Sequence, residues 1–328
     1  MPEERPTLRM RPFLQRLALS LVTGVIFVYW SELAFWARPY AGTSLAEMAP
    51  TTIAYSVAAY LFLAVVSAFR ARTSPAVFLA GALFGWFVEG VIVQTMVEDL
   101  PLSISFTGLA WHASITVMLG WWLIPRLLAE GRARRLAALS AAIGLGYGVW
   151  AMTWWVEAPP PSPPAEFAAY VFRATLLLAA AYALAFRLRR GRFTPSRLEW
   201  IILSALILLY FAFITVPTAP LSLLVLPPLA GLVLLGLRTL RRGAADAPAG
   251  IPAGRPPHFG AYAALFLIPV AATAVYALGL GLGVHASTGI AFYVVTTPLG
   301  FVLLAWSLRR ALFRGTAPPV LPEAVDGA

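Results

Sequence analysis

Ten times along its 328 residues the chain runs for roughly twenty positions with scarcely a charge. A helix needs about that many apolar residues to cross the hydrocarbon core of a bilayer, because each adds about 1.5 Å. The stretches fall at 13–36, 50–69, 75–97, 104–125, 136–156, 166–187, 198–216, 220–238, 260–282 and 287–308. Inside lipid every backbone N–H and C=O must be satisfied within the protein, and a helix does this segment by segment. The only break within 198–238 is Pro217-Thr218-Ala219-Pro220, expected as a tight hairpin because the whole stretch is too long for one tilted helix. The expected fold is therefore all-α, a polytopic transmembrane bundle of about 10 helices.

Composition gives the same answer. Hydrophobic residues make up 60% of the chain and charged residues 12%, with a mean hydropathy of +0.80. A soluble domain carries about 25% charged residues, so this chain has too little polar surface to coat a water-exposed globule. It has no cysteine and no lysine; all 24 basic residues are arginine. Disulfides, thiolate chemistry, Schiff-base lysines and P-loop lysines are excluded with them.

The arginines orient the chain, since cytoplasmic loops collect them. Counting from an inner N-terminus, the inner segments hold Arg5, Arg9, Arg11 and Arg16; Arg70 and Arg72; Arg126, Arg132, Arg134 and Arg135; Arg187, Arg189, Arg190, Arg192 and Arg197; Arg238, Arg241, Arg242 and Arg255; and Arg309, Arg310 and Arg314. Only Arg38 and Arg173 stand apart. The expectation is a multi-pass protein of the cell (inner) membrane with both termini cytoplasmic. Its net charge of +10 then faces lipid headgroups rather than nucleic acid. Residues 1–12 are a cytoplasmic basic segment, and the first apolar run carries no cleavage site behind a short core, which marks an uncleaved span. Tyr29, Trp30, Trp36, Trp154 and Trp155 on the outer side, with Trp121, Trp122, Trp200 and Trp306 on the inner, are expected as interfacial anchors.

The Pro-rich segment within 157–165 divides five spans (13–156) from five (166–308). Two such halves would run in opposite orientations, a layout common in transporters, though no residue-level similarity links them. The stretch 243–257 is expected as a flexible cytoplasmic linker, and 309–328 as a cytoplasmic tail that ends disordered.

An ionisable residue at membrane depth is costly and marks a functional site by default. Glu89 in the third span, His112 in the fourth and Arg173 in the sixth all lie about 12 Å of helix in from the outer side. Ser105, Gly108, His112 and Thr116 share one helical stripe; so do Glu166, Tyr170 and Arg173, then Gly146, Trp150, Thr153 and Glu157, and finally His285, Thr288 and Thr296. Gly81 and Gly85, one turn apart below Glu89, permit close helix packing. The functional expectation is a polar cavity in the outer half. Glu89 and His112 are its candidate catalytic, proton-transferring residues. Gln94, Asp99, Trp111, Tyr170 and Arg173 are candidate substrate-binding residues. The bland alternative makes Glu89 and Arg173 a structural ion pair and His112 a satisfied interhelical bond, with Glu32, Glu98 and Asp99 as ordinary outer-loop groups. Glu89, His112 and His285 do not form a spaced metal-ligand motif, no nucleophile elbow is present, and no cofactor signature is legible.

The run Val88-Glu89-Gly90-Val91-Ile92-Val93-Gln94-Thr95, followed by Leu100-Pro101-Leu102 and Trp111, resembles membrane-bound carotenoid hydratases and cyclases. Those proteins place a glutamate six residues before a threonine, ahead of a proline-leucine and tryptophan segment. The family's Gly- and Tyr-rich stretch after the threonine is missing here, so no residue role is carried over. The resemblance implies a lipidic or isoprenoid substrate. The leading expectation is an intramembrane enzyme acting on a small lipophilic molecule drawn from membrane lipids. A ten-span secondary transporter, proton-coupled through Glu89, is the rival; it is similar in layout to drug/metabolite transporters, whose motifs are absent. A subunit of a larger membrane complex is the third reading.

Overall fold

The computed structural model describes residues 12–38, 46–157, 160–188, 193–242, 257–284 and 286–313. Among these there is no strand. Ten helices are long and apolar enough to cross a membrane: α1 Pro12–Trp36, α2 Met48–Ala68, α3 Ser74–Ile92, α4 Leu102–Ala129, α5 Ala133–Glu157, α6 Pro164–Leu188, α7 Arg197–Thr218, α8 Ser222–Arg241, α9 Phe259–Gly281 and α10 Thr288–Phe313. The chain is a multi-pass transmembrane helix bundle. The hairpin expected at Pro217–Pro220 is where α7 hands over to α8, through a short turn closed by Ala219 N–H to the Thr215 carbonyl at 2.8 Å.

The helices pack as interlocked pairs. α1 lies along α2, α3 along α4 and α5 along α9; α6 fits against α1 and α9, while α8 and α10 pack onto α3. α3 is the axis of the bundle, with 83% of its most apolar window buried, against 11% for α7 at the periphery. The contrast follows from side-chain size. α3 presents Gly81 and Gly85 to its neighbour, whereas α7 displays Leu198, Ile201, Leu206, Leu208 and Phe213 outward, as a lipid-facing helix does. Where α3 crosses α4, a Cβ on Gly85 would stand 2.0 Å from the Gly108 carbonyl oxygen, and one on Gly81 3.1 Å from the Ala113 Cα. Small residues let backbones meet this closely.

Among the described residues four segments are wound as π-helix: Tyr29–Leu33 in α1, Phe87–Ile92 in α3, Phe106–Leu123 in α4 and Phe211–Thr215 in α7. In a π turn the amide bonds five residues back rather than four, which widens the helix and turns backbone carbonyls toward neighbours. Aromatic and hydroxyl donors take up the carbonyls around these turns. Trp111 Nε1 donates to the Trp30 carbonyl at 2.8 Å, the Tyr147 and Tyr170 hydroxyls to the Leu33 carbonyl at 2.9 Å each, and Tyr182 to the Gly120 carbonyl at 2.6 Å. Thr215 donates to the Val91 carbonyl at 2.8 Å. Several tryptophans expected at the membrane interface are thus found inside: Trp30, Trp121 and Trp155 are buried. Their indoles fill the protein interior instead of anchoring it in headgroups, and that of Trp30 donates to the Tyr182 hydroxyl at 3.2 Å.

Candidate functional site

Alternating antiparallel helices bring the end of α1, the end of α3, the start of α4 and the start of α10 to one end of the bundle. There a cavity of about 480 Å³ opens among Ser31, Glu32, Phe35, Trp36, Glu89, Thr95, Glu98, Asp99, Phe106, Thr107, Trp111, His112 and Tyr293. Ser31, Glu32, Glu89, Thr107, Trp111 and His112 all sit on π-wound turns. The wider turn moves a side chain off the stripe an α-helix would give it, which is how single π turns come to be found at functional sites.

Glu89 and His112 form the centre. The imidazole Nε2 lies 2.8 Å from Glu89 Oε1, and the Thr95 hydroxyl donates to Oε2 at 2.6 Å. On the far side of the ring, Nδ1 lies 3.0 Å from the Ser31 hydroxyl, itself 2.9 Å from Thr116 Oγ1. Glu89 is 8% exposed and His112 3%. Both nitrogens and both carboxylate oxygens are thus engaged, the condition under which a buried polar pair stays in place. Phe84 meets the imidazole edge-on, with ring centroids 5.6 Å apart. One turn below, the Gly85–Gly108 approach sets how far apart α3 and α4 stand, and so the separation of Glu89 from His112.

A second carboxylate faces the same cavity. Glu32 accepts the Tyr55 hydroxyl at 2.7 Å on Oε1 and the Trp36 indole at 3.1 Å on Oε2. At the mouth, Tyr293 donates to Asp99 at 3.3 Å. The walls between are aromatic: Phe35 stands edge-on to Trp111 at 4.9 Å, and Phe106 lies against Tyr293 at 4.7 Å.

Of the residues singled out from the sequence, Glu89, His112, Asp99 and Trp111 line the cavity. Gln94 ends α3 in a left-handed conformation (φ 71°), its carboxamide turned back on the Val91 carbonyl. Tyr170 supports α1 through Leu33. Arg173 does not join Glu89: it is exposed on α6, and its Nε donates to the Ala169 carbonyl at 3.0 Å. α6 packs on α1 and α9, so the equal depth expected from the sequence does not bring Arg173 to Glu89, and His112 is the partner Glu89 finds. The stripe from Ser105 to Thr116 also divides, because α4 is π-wound: Ser105 bonds the Thr297 carbonyl at 2.6 Å while His112 and Thr116 turn to Ser31. His285 lies outside the described residues. Among the described residues no three His, Asp or Glu side chains converge as a metal ion would require.

Sequence reasoning set Glu32 among the ordinary outer-loop groups and overlooked Ser31, Tyr55, Thr107 and Tyr293. The available signal was the Ser31-Glu32 pair, two polar residues inside the first apolar run. Compared with protein-family models, curated proteins and solved structures, the chain matched nothing.

Proposed function

We propose that this chain is an intramembrane enzyme that acts on a lipid-soluble substrate, a lipid or isoprenoid, with Glu89 and His112 as its acid–base pair. The observation that carries the reading is the 2.8 Å contact between Glu89 and His112 beside an aromatic-walled cavity. A purely structural ion pair needs no cavity next to it. A proton-transfer pair does, because the reacting atom must come within hydrogen-bond reach of the group that takes its proton. Phe35, Trp36, Phe106 and Trp111 offer an apolar body its contacts, and the Glu89–His112 pair offers the polar groups that would orient it. That is how small-molecule sites divide binding from orientation. Buried in low dielectric, the pair can hold or release one proton without the reorganisation that water would impose.

In this reading the protein sits in the cell membrane with both termini cytoplasmic, as the arginine distribution implies, and the cavity opens toward the outer leaflet. The test uses wild-type protein and Glu89→Gln in nanodiscs made with lipid extract from the expression host, followed by mass spectrometry of the lipids over time. A lipid species that changes with the wild type and not with the variant supports the proposal. Equal conversion by both would sink it.

A further inference from the structure

Ser31 stands on the other side of the His112 ring from Glu89. Its Oγ lies 3.0 Å from Nδ1, while Nε2 lies 2.8 Å from Glu89 Oε1. A hydroxyl, an imidazole and a carboxylate thus follow one another in hydrogen-bonded contact, and all three residues line the same cavity. That order is what activates a serine: a base within reach of the hydroxyl, and a third group that orients the base. Helix packing brings it about, since Ser31 comes from α1, His112 from α4 and Glu89 from α3. No nucleophile elbow is involved; Ser31 sits instead in the π-wound segment Tyr29–Leu33.

We propose that Ser31 is a nucleophile, and that Ser31, His112 and Glu89 form a catalytic triad for acyl transfer from a lipid carboxylic ester. This rests on the reading of Glu89 and His112 as an acid–base pair, and it names the reaction they serve. The proton positions follow from the contacts. Ionised Glu89 accepts Nε2–H, which leaves Nδ1 as the acceptor of the Ser31 proton. With its only proton committed to Nδ1, Ser31 accepts from Thr116 Oγ1 at 2.9 Å. Its second lone pair stays open for attack. Thr116 is fully buried and does not line the cavity, so of the two hydroxyls Ser31 is the one a substrate meets.

The steps balance. Ser31 Oγ forms a bond to the ester carbonyl carbon as its proton passes to Nδ1. The C–O bond to the alcohol then breaks and Nδ1 returns the proton to the leaving oxygen, so an alcohol departs and acyl-Ser31 remains. Water, or a second alcohol, gives its proton to Nδ1 and attacks the acyl carbon. The bond to Oγ breaks, Oγ takes the proton back, and a carboxylic acid or a new ester is released. Neither oxidant nor reductant is consumed. Phe35, Phe106 and Trp111 suit the acyl chain. Glu98 and Asp99 line the cavity as well, and among the described residues no arginine does, so a phosphodiester headgroup meets like charge and no counter-charge. The ester this fits is one of a neutral alcohol.

A long-chain alkyl fluorophosphonate is the probe, because a serine activated in this way displaces its fluoride: the Oγ–P bond forms, P–F breaks, and the proton leaves by way of Nδ1 with the fluoride. Full-length protein in nanodiscs should gain one adduct, mapped by peptide mass spectrometry to Ser31. His112→Ala and Glu89→Gln should each slow labelling by about 10²–10⁴-fold. In the same nanodiscs a fatty-acid ester of a neutral alcohol should lose its acyl group, and Ser31→Ala should lower that rate by about 10³-fold or more. Ser31→Ala also takes a partner from His112 and Thr116, so the wild-type adduct decides, whatever that variant's stability. An adduct elsewhere or none, or labelling as fast in Glu89→Gln as in wild type, would overturn the triad. If Ser31 stays unlabelled while Glu89→Gln still abolishes lipid conversion, the acid–base pair stands and only the nucleophile falls.

Discussion

Gly85→Ala reaches the site without touching any of its side chains. The new Cβ would stand 2.0 Å from the Gly108 carbonyl oxygen and 2.8 Å from its carbon. Both are backbone atoms of a buried helix, so they cannot swing aside as a side-chain tip could. Real Cβ atoms do not come closer than about 3 Å, so α3 and α4 must part by about 1 Å at this level. Glu89 and His112 each lie one turn from that contact. Their 2.8 Å bond would open to nearly 4 Å, beyond hydrogen-bonding range. Overpacking of this kind costs about 1–3 kcal/mol, and a 1 Å misplacement of reacting groups lowers turnover about a hundredfold. Gly146→Ala on α5 is the control, since nothing lies within 4 Å of its Cβ position; relief of helix-interior glycine should stabilise it by up to ~1 kcal/mol. Thermal unfolding in detergent, followed by tryptophan fluorescence, should move the two variants in opposite directions. If Gly85→Ala unfolds no earlier than wild type and keeps the His112–Glu89 bond in ¹⁵N spectra, the close-approach reasoning is wrong.

Glu89→Gln should insert and unfold like the wild type yet lose lipid conversion by about 10²–10⁴-fold, the usual worth of a general acid or base, as read by lipid mass spectrometry. Tyr182→Phe removes the donor to the Gly120 carbonyl and the acceptor of the Trp30 indole at 3.2 Å; stranding those buried partners should cost about 1–3 kcal/mol, measured by the same unfolding assay. Arg16→Ala breaks the bidentate contact with Glu199 at 2.6–2.9 Å, in which Tyr60 also takes part, and should destabilise by about 2 kcal/mol. Arg173→Ala, at an exposed position, should stay within about 0.5 kcal/mol of wild type.

Hydropathy made the helix count legible, because span length is dictated by bilayer thickness alone. Counting along each apolar run brought Glu89 and His112 forward together. What depth cannot carry is azimuth. Arg173 was expected at the depth of Glu89, but it is exposed on α6, which packs on α1 and α9, away from the site. The stripe Ser105–Gly108–His112–Thr116 assumed an α-helical period, and the π winding of α4 broke it into groups facing α10 and α1. Nothing in local propensity marks a π turn. Here it is held by Trp and Tyr donors from other helices, so it appears only once those helices are packed. Glu32 was hidden by its place near the end of the first span, where a carboxylate reads as solvated; Trp36, one turn on, and Tyr55, from another helix that no spacing rule connects to it, hold it at the cavity.

A density map of the protein purified in lipid from its expression host addresses the central claim most directly. The account predicts an elongated ligand lying between Phe35, Phe106 and Trp111, with one end within hydrogen-bond reach of the Glu89–His112 pair. A cavity holding only water, continuous with a path toward the opposite face of the bundle, would contradict it and favour transport.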